Sequence, residues 1–228
     1  MGLFLGLLDL RTVHVREAEI DVTRPPLPVL PGEEKLLGRA VEKRRREFAI
    51  GRNLARDALR SLGYPEVTIP ANDDRSPRWP EMIVGSISHC NSYCAAAVAS
   101  ADDVQFLGID IEEYEERKLS NDMISYVCVP EELDWLAQLP VAARKRAAMA
   151  IFSAKEAWYK ACYPETRTFL DFKRARIEFD LFALEKAEWH GVLLDNWGTF
   201  KHGEIFPFGV SHFDSRYVAS AFVKPYPK

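Results

Sequence analysis

Two long stretches of the chain repeat apolar and small residues every three or four positions, which is the spacing of an amphipathic helix. They predict helices over 36–62, where Gly63 and Pro65 supply the end, and over 142–162; a shorter run predicts a helix over 130–139. Short apolar or alternating runs bounded by turn residues predict strands. The predicted strands cover 12–15, 67–69, 83–88, 93–99, 105–112, 177–181, 189–194, 199–206 and 217–223.

One short stretch of sequence occurs twice. Residues 88–98 begin Ser-His-Cys-Asn-Ser and continue in small residues, and residues 211–222 begin Ser-His-Phe-Asp-Ser and continue similarly with one residue inserted. Each copy follows a long predicted helix that carries basic residues. The duplication predicts an α+β fold of two similar halves related by a pseudo-two-fold, with an N-terminal half at 1–103 and a C-terminal half at 104–228.

The composition is that of a folded globular chain. Apolar residues make up 47% of the 228 positions, and thirteen Phe, eight Tyr and five Trp supply surface for a core, which excludes a disordered chain. No apolar run approaches the ~20 residues of a membrane-spanning helix. The apolar opening segment has no basic residues before it and reaches Asp9 early, unlike a secretory leader. The four cysteines form no Cys-x-x-Cys pair, so we expect reduced thiols and a cytoplasmic location.

The charges are segregated along the chain. The net charge of −4 does not suggest a nucleic-acid partner. Residues 102–122 hold eight acidic and two basic side chains, whereas residues 43–60 hold seven basic and two acidic ones. A basic helix and an acidic strand in one small protein can together bind an anion and its counter-cation, or they can be two solvated faces of opposite sign.

The sequence Gly-Ile-Asp-Ile-Glu at 108–112 places two carboxylates on one face of a predicted strand. Side chains alternate in a strand, so Ile109 and Ile111 face a core while Asp110 and Glu112 project together from the other side. With Cα atoms about 7 Å apart, these carboxylates can bind one hard cation. An edge strand with an exposed, solvated acidic face has the same pattern.

Both long helices carry residues suited to phosphate chemistry. Glu156 and Lys160 are four residues apart and share a helix face, either as a surface ion pair or as a third cation ligand beside a base that neutralises phosphate; Lys155 adjoins them. On the first helix, Arg44 and Arg52 belong to a basic face, and planar guanidinium groups suit phosphate. A solvated basic face is the alternative.

The segment Ser88-His89 ends a predicted strand. A histidine there can contact phosphate, accept a proton, or serve as a structural residue of the turn. The motifs G-x-x-x-x-G-K-[ST], G-x-G-x-x-G, H-E-x-x-H and G-x-S-x-G are all absent from the sequence. P-loop, Rossmann, zincin and serine-hydrolase chemistry therefore have no basis in the sequence.

Four segments, taken in order, resemble the 4′-phosphopantetheinyl transferases of the larger, monomeric surfactin- and enterobactin-synthetase type. They are Gly51-Arg52, Gly-Ser-Ile-Ser-His at 85–89, Gly-Ile-Asp-Ile-Glu at 108–112 and Phe-Ser-Ala-Lys-Glu-Ala-Trp-Tyr-Lys at 152–160. The resemblance implies transfer of the phosphopantetheine arm of coenzyme A to a serine of an apo acyl or peptidyl carrier protein, with release of 3′,5′-ADP. It implies a monomer that serves siderophore, non-ribosomal peptide or polyketide biosynthesis.

The resemblance also implies roles for individual residues. Asp110, Glu112 and Glu156 would bind Mg²⁺, or Mn²⁺, on the pyrophosphate of coenzyme A. Asp110, Lys155 and Glu156 would form the catalytic group, with Glu156 accepting the serine proton and His89 as the second choice. The residues implied to contact coenzyme A are Arg44, Arg52, Arg75, Ser88, His89, Lys155 and Lys160, of which Ser88 and His89 would hold the 3′-phosphate side.

Residues 114–127 are too apolar for a plain solvated loop. We expect them, with the bases Arg117 and Lys118, to form much of the surface that receives the carrier protein; packing in the core is the alternative. A catalytically silent coenzyme A-binding or carrier-docking module on the same fold is the alternative function. Consumption of coenzyme A that depends on Mg²⁺ and an apo carrier distinguishes the two.

Overall fold

The computed structural model describes residues 2–4, 8, 11–34, 37–38, 40–114, 120–179, 186–213 and 216–226. These residues form two antiparallel sheets, each packed against one long helix. The elements in chain order are β1 (Val13–Glu19), α1 (Glu42–Ser61), β2 (Ile83–His89), β3 (Tyr93–Ser100), β4 (Val104–Glu113), α2 (Asn121–Val127), α3 (Pro130–Gln138), α4 (Val141–Thr166), a 3₁₀ turn (Phe172–Arg174), β5 (Ala175–Phe179), β6 (Lys186–Leu193), β7 (Ile205–Phe213) and β8 (Tyr217–Pro225).

The first sheet has the strand order β1-β3-β2 and packs against α1. Its central strand β3 is buried on both faces, and four of its eight residues are alanine. Ala96 and Val98 face α1, whereas Ala95, Ala97 and Ala99 face the core that β3 shares with β4 and β8. Small side chains on both faces let the helix and the second sheet approach the same strand.

The second sheet has the order β4-β8-β7-β6-β5 and packs against α4. Helix and strand are in direct backbone contact at Gly108, where an added Cβ would lie 1.9 Å from the carbonyl oxygen of Ala157. Only glycine allows this approach. It brings the middle of α4 over the β4 face that carries Asp110 and Glu112, while Ile109 and Ile111 point into the shared core, as the alternation predicts.

The predicted α+β fold is confirmed, and the repeated sequence corresponds to two equivalent hairpins. The copy at 88–98 forms the β2–β3 hairpin and the copy at 211–222 forms the β7–β8 hairpin. The order β1-β3-β2 of the first sheet is matched by β4-β8-β7 in the second. Each half thus contributes a three-strand unit and one long helix, and β4 is the first strand of the second sheet.

Two serine hydroxyls connect the sheets where β2 lies beside β4. The backbone N–H of Ile109 donates to Ser86 Oγ, and that of Ile111 donates to Ser88 Oγ, each at 3.1 Å. Side chains therefore satisfy the β4 edge that faces β2, and the two strands run parallel there. Asp110 lies between the two amides, at the boundary between the halves.

The first predicted helix and two predicted strands differ from the structure. The helix begins at Glu42, not at 36, because Gly38 takes a positive φ of 39° and Val41 is extended. The strand expected at 67–69 does not form, because the backbone N–H of Ile69 donates to Glu33 and its carbonyl oxygen accepts from Arg52. The strand expected over 199–206 begins only at residue 205, after a turn.

The C-terminal elements also depart from the predicted pattern in extent. Helix α4 runs to Thr166, four residues beyond its predicted end, and the short helix α2 was not predicted at all. Among the described residues, no helix is both long and apolar enough to cross a membrane.

Candidate active site

Asp110 lies at the boundary between the halves and is only 3% exposed. This burial excludes the solvated acidic face that the strand pattern also allowed. Its Oδ1 accepts hydrogen bonds from Ser88 Oγ at 3.0 Å and from Lys160 Nζ at 2.5 Å. Its Oδ2 is buried and has no hydrogen-bond partner. A buried carboxylate oxygen without a donor is costly, and a bound cation removes that cost, so Asp110 fits the role of a metal ligand.

Glu156 on α4 completes an acidic group with Asp110 and Glu112. Burial and the charge of Asp110 raise the pKa of Glu156, and Lys160 opposes the rise. For Lys160, burial acts to lower the pKa, but Asp110, Glu156 and Glu112 outweigh it and raise the pKa. These three carboxylates and the Lys160 ammonium therefore share one electrostatic environment.

The three carboxylates do not enclose an ion by themselves. Within the described ranges, no three His, Cys, Asp or Glu side chains are gathered closely enough to form a complete metal site. Magnesium usually takes one or two carboxylates, keeps several waters and completes its shell with substrate phosphate. The donor set is therefore compatible with a metal that binds together with an anionic substrate.

Lys155 is not brought to these carboxylates, although it directly precedes Glu156. Its ammonium group is 2% exposed and donates to Glu132 Oε2 at 2.8 Å and to the carbonyl oxygens of Val127 and Phe172 at 2.9 and 3.0 Å. An ammonium has three donors, and all three are used. Consecutive helix residues point about 100° apart, so Lys155 faces α3 while Glu156 faces β4.

A basic group borders the acidic one on the N-terminal half. Arg44 lies 3.1 Å from His89 Nε2, measured from its Nη1, and Glu47 lies within 4 Å of both side chains. Burial, with the charges of Arg44 and Lys160, lowers the pKa of His89 against the attraction of Glu47 and Asp110. Burial and the adjoining cations therefore disfavour the protonated form of His89.

Arg52 lies deeper on the same helix and is 5% exposed. Its Nε donates to the carbonyl of Ile69 at 2.8 Å, and its guanidinium lies over the ring of Phe48. Burial, with Arg56 and Arg44 nearby, lowers the pKa of Arg52 to about 10 although Glu33 opposes this. A buried guanidinium with cationic neighbours would be stabilised by an added anion.

Arg75 is exposed, on a tight turn with a φ of 69°. The preceding residue ties this turn to the end of α4, because Asp74 accepts a hydrogen bond from Tyr163 Oη at 2.8 Å and pairs with Arg167 at 3.4 Å. Residue 163 is on the same helix face as Lys160, so the turn lies on the side of α4 that carries the carboxylate group.

No sequence pattern indicated the acidic residues that position the site helices. Glu33 is fully buried and binds Arg56 through both carboxylate oxygens at 2.7 and 2.9 Å, and Glu132 is the partner of Lys155. Glu33 follows a Pro-rich stretch and Glu132 opens an ordinary helix, so each resembles a solvated acid. Their partners lie 23 residues away in both cases, which no local pattern reveals.

Comparisons with known proteins agree with this arrangement. Residues 32–99 match the model of the 4′-phosphopantetheinyl transferase N-terminal domain, and residues 106–203 match that of the 4′-phosphopantetheinyl transferase superfamily. The 4′-phosphopantetheinyl transferase Npt of Nocardia iowensis is 39% identical over 167 residues, which span 73% of each chain. PptT of Mycobacterium tuberculosis is 39% identical over 72% of this chain and 70% of its own.

A more distant relative is enterobactin synthase component D of Escherichia coli K12, which is 37% identical over 60% of this chain and 64% of its own. The two family models match residues 32–99, which begin just after the Pro-rich segment, and 106–203, which end before β7, and together they include every candidate site residue. The chain belongs to the 4′-phosphopantetheinyl transferases.

Proposed function

We propose that the chain transfers the 4′-phosphopantetheine arm of coenzyme A to a serine of an apo carrier protein, with the group around Asp110 as the reaction centre. The serine oxygen forms a bond to the β-phosphorus of coenzyme A, the bond from that phosphorus to 3′,5′-ADP breaks, and the serine proton passes to a base. The observation that carries the proposal is the buried, unpartnered Oδ2 of Asp110, next to Glu156 and Lys160.

Asp110, Glu112 and Glu156 are the residues that would hold Mg²⁺, for which Mn²⁺ can substitute. When bound, the ion would neutralise charge that develops on the pyrophosphate. Lys160 provides a fixed cation at the same place, since its Nζ already lies 2.5 Å from Asp110 Oδ1. Such electrostatic stabilisation is the main contribution that a protein makes to phosphoryl transfer.

Glu156 is the proposed acceptor of the serine proton. In the metal-free protein, burial and the charge of Asp110 raise its pKa above the usual value of 4.5, and a raised pKa makes a carboxylate a better base. His89 is the second choice. Its Nε2 already accepts a hydrogen bond from Arg44, so it is less available than Glu156 to accept the serine proton.

The proposed coenzyme A surface combines basic and polar side chains from both halves. Arg44, Arg52 and His89 come from the N-terminal half, Lys160 comes from α4, and Arg75 lies on the turn bound to the end of α4. Lys155 would act through position instead, because its three hydrogen bonds hold α4 against α3 and the 3₁₀ turn. A cytoplasmic monomer remains part of the proposal.

The carriers proposed as substrates are those of siderophore, non-ribosomal peptide or polyketide synthesis. The name of one relative, enterobactin synthase component D, supports this class. A silent coenzyme A-binding or carrier-docking module is the alternative, and the buried acidic group argues against it because such a module has no need of an unpartnered carboxylate oxygen.

The direct test is mass spectrometry of a small panel of apo carriers incubated with coenzyme A, Mg²⁺ and the protein. We expect each accepted carrier to gain the mass of one phosphopantetheine group at its serine, with 3′,5′-ADP released in equal amount. A chelator should stop the gain, and a carrier with alanine in place of that serine should show none. Binding of coenzyme A without any mass gain across the panel would instead establish the silent module.

The proposed docking surface is narrower than the segment 114–127. Met123 and Tyr126 of α2 are 38% and 60% exposed, whereas Val127 is buried and Ile124 packs against the C-terminal core. Arg117, Lys118 and Leu119 lie outside the described residues. The structure thus divides the apolar residues of α2 between the surface and the core.

Replacing Met123 and Tyr126 together with serine should raise the KM for the carrier while the KM for coenzyme A and the melting temperature stay unchanged. Exposed apolar anchors contribute to binding, and their loss removes little packing. The matched control is Ile124→Ser, which should lower the melting temperature by several degrees and leave both KM values intact. An unchanged carrier KM in the double variant would place the docking surface elsewhere.

A further inference from the structure

The hydroxyl group of Ser88 has no capacity left for a substrate. A serine hydroxyl has one donor and two lone pairs. Ser88 donates to Asp110 Oδ1 at 3.0 Å and accepts from the backbone N–H of Ile111 and from Lys160 Nζ, both at 3.1 Å. The residue is 3% exposed. A phosphate contact would therefore require the Ser88 hydroxyl to release Asp110, Ile111 or Lys160.

Two of the three partners of Ser88 meet at one carboxylate, because Lys160 also donates to Asp110. Ser88 and Lys160 both donate to Oδ1 of Asp110, which leaves Oδ2 as the oxygen without a partner. The amide of Ile111 fixes Ser88 in turn, because it anchors the hydroxyl to the strand that carries Asp110. This arrangement holds the carboxylate in one orientation with one oxygen available to a cation.

Ser86 provides an internal comparison two residues earlier on β2. Its Oγ accepts from the N–H of Ile109 at 3.1 Å, just as Ser88 accepts from Ile111, and it is 5% exposed. Ser86 donates to no carboxylate among the described residues. The two serines therefore share one structural contact, and the bonds to Asp110 and Lys160 distinguish Ser88.

We propose that Ser88 is a positioning residue that orients Asp110 toward the metal ion and does not bind the 3′-phosphate of coenzyme A. The inference rests on the proposed function, since it takes Asp110 to be the metal ligand. A hydrogen-bonded partner of a ligating carboxylate fixes the ligand's orientation, and loss of such a partner typically weakens metal binding or activity roughly 10–100-fold.

The test compares Ser88→Ala with Ser86→Ala, and both with Asp110→Asn. Mn²⁺ binding to each protein, saturated with coenzyme A, is followed through the electron paramagnetic resonance signal of the free ion, with a control that lacks protein. We expect Ser88→Ala to lose about 10–100-fold in Mn²⁺ affinity, as for other partners of metal ligands. Ser86→Ala should keep wild-type affinity. Ser88→Ala loses three hydrogen bonds and Ser86→Ala loses one, so the affinities are compared at a temperature at which thermal melts show both variants to be fully folded.

The second measurement is the KM for coenzyme A and for dephospho-coenzyme A. A positioning residue leaves the ratio of the two values unchanged in Ser88→Ala, whereas a residue that binds the 3′-phosphate raises the KM of coenzyme A alone. That selective rise would overturn the inference, and so would equal Mn²⁺ affinity in the two serine variants. If Asp110→Asn also keeps wild-type Mn²⁺ affinity, Asp110 is not a metal ligand, and the proposed function fails in that part together with the inference. Loss of affinity in Asp110→Asn but not in Ser88→Ala refutes the inference alone.

Discussion

Asp110→Asn is expected to lower carrier modification by more than about 100-fold, since even the loss of a ligand's hydrogen-bonded partner costs roughly 10–100-fold. Asparagine has nearly the same shape, so its carbonyl oxygen can still accept from Ser88 and Lys160 at the Oδ1 position. The change removes one negative charge from beside Glu156 and places a neutral amide where the unpartnered oxygen now lies. The fold should therefore remain intact while the cation loses a ligand.

The measurement is the rate of carrier modification at saturating Mg²⁺, together with a thermal melt without metal. Alanine would be a poorer choice than asparagine, because Asp110 is buried and its removal leaves Lys160 and Ser88 without an acceptor. The matched control is Glu113→Gln on the same strand, whose carboxylate pairs with Arg216 at 3.0 Å. It should keep full activity. Turnover by Asp110→Asn close to that of the wild type would refute the metal assignment.

Periodicity was enough to predict which residues of β4 and α4 share a face. Asp110 and Glu112 alternate with Ile109 and Ile111, and the structure keeps that alternation because the shared core takes the isoleucines. The distance between strand and helix could not be predicted this way. It depends on Gly108, whose missing side chain lets α4 contact β4 through backbone atoms, and the pattern alone gives glycine no such role.

The parts of the fold that the sequence missed are those decided by contacts with distant residues. The run at 67–69 has the apolar character of a strand, but buried Glu33 and Arg52 take the backbone groups of Ile69. The exposed or buried state of Asp110 was equally undecided, because a solvated edge strand and a strand covered by β2 and α4 have the same alternation. The spacing of residues along the chain predicts which way a side chain points, but not whether other elements bury it.

Lys155 and Lys160 illustrate the same limit within one helix. Both flank Glu156, and phosphate chemistry gives each the same attraction to the site. Their environments differ because the Lys155 ammonium is bound to Glu132, which lies 23 residues earlier in the chain and outside the site. We call the Lys155–Glu132 pair a hub because it connects several elements. Glu132 also accepts hydrogen bonds from the backbone N–H groups of Val129 and Ile177 at 2.8 and 2.7 Å. It therefore joins α3, α4, β5 and the 3₁₀ turn behind Glu156.

Lys155→Met is therefore expected to lower the free energy of unfolding by about 3–5 kcal/mol, the usual cost of removing one partner of a buried ion pair. Burial raises the pKa of Glu132 and lowers that of Lys155, so each depends on the other to remain charged inside the protein. The measurement is equilibrium denaturation. The control is Lys43→Met, which removes an exposed ammonium 3.8 Å from Glu47 and should change the stability by less than about 1 kcal/mol.

The activity of Lys155→Met, measured under conditions in which the variant is still folded, distinguishes a structural role of Lys155 from a direct contact with the pyrophosphate. The hub predicts that adding Glu132→Gln recovers part of the lost stability, because no buried charge is then left alone. It also predicts that the KM for coenzyme A changes little in the folded protein, since the Lys155 ammonium has no donor left for phosphate. A large rise in that KM with wild-type stability would show instead that Lys155 leaves Glu132 to contact the substrate.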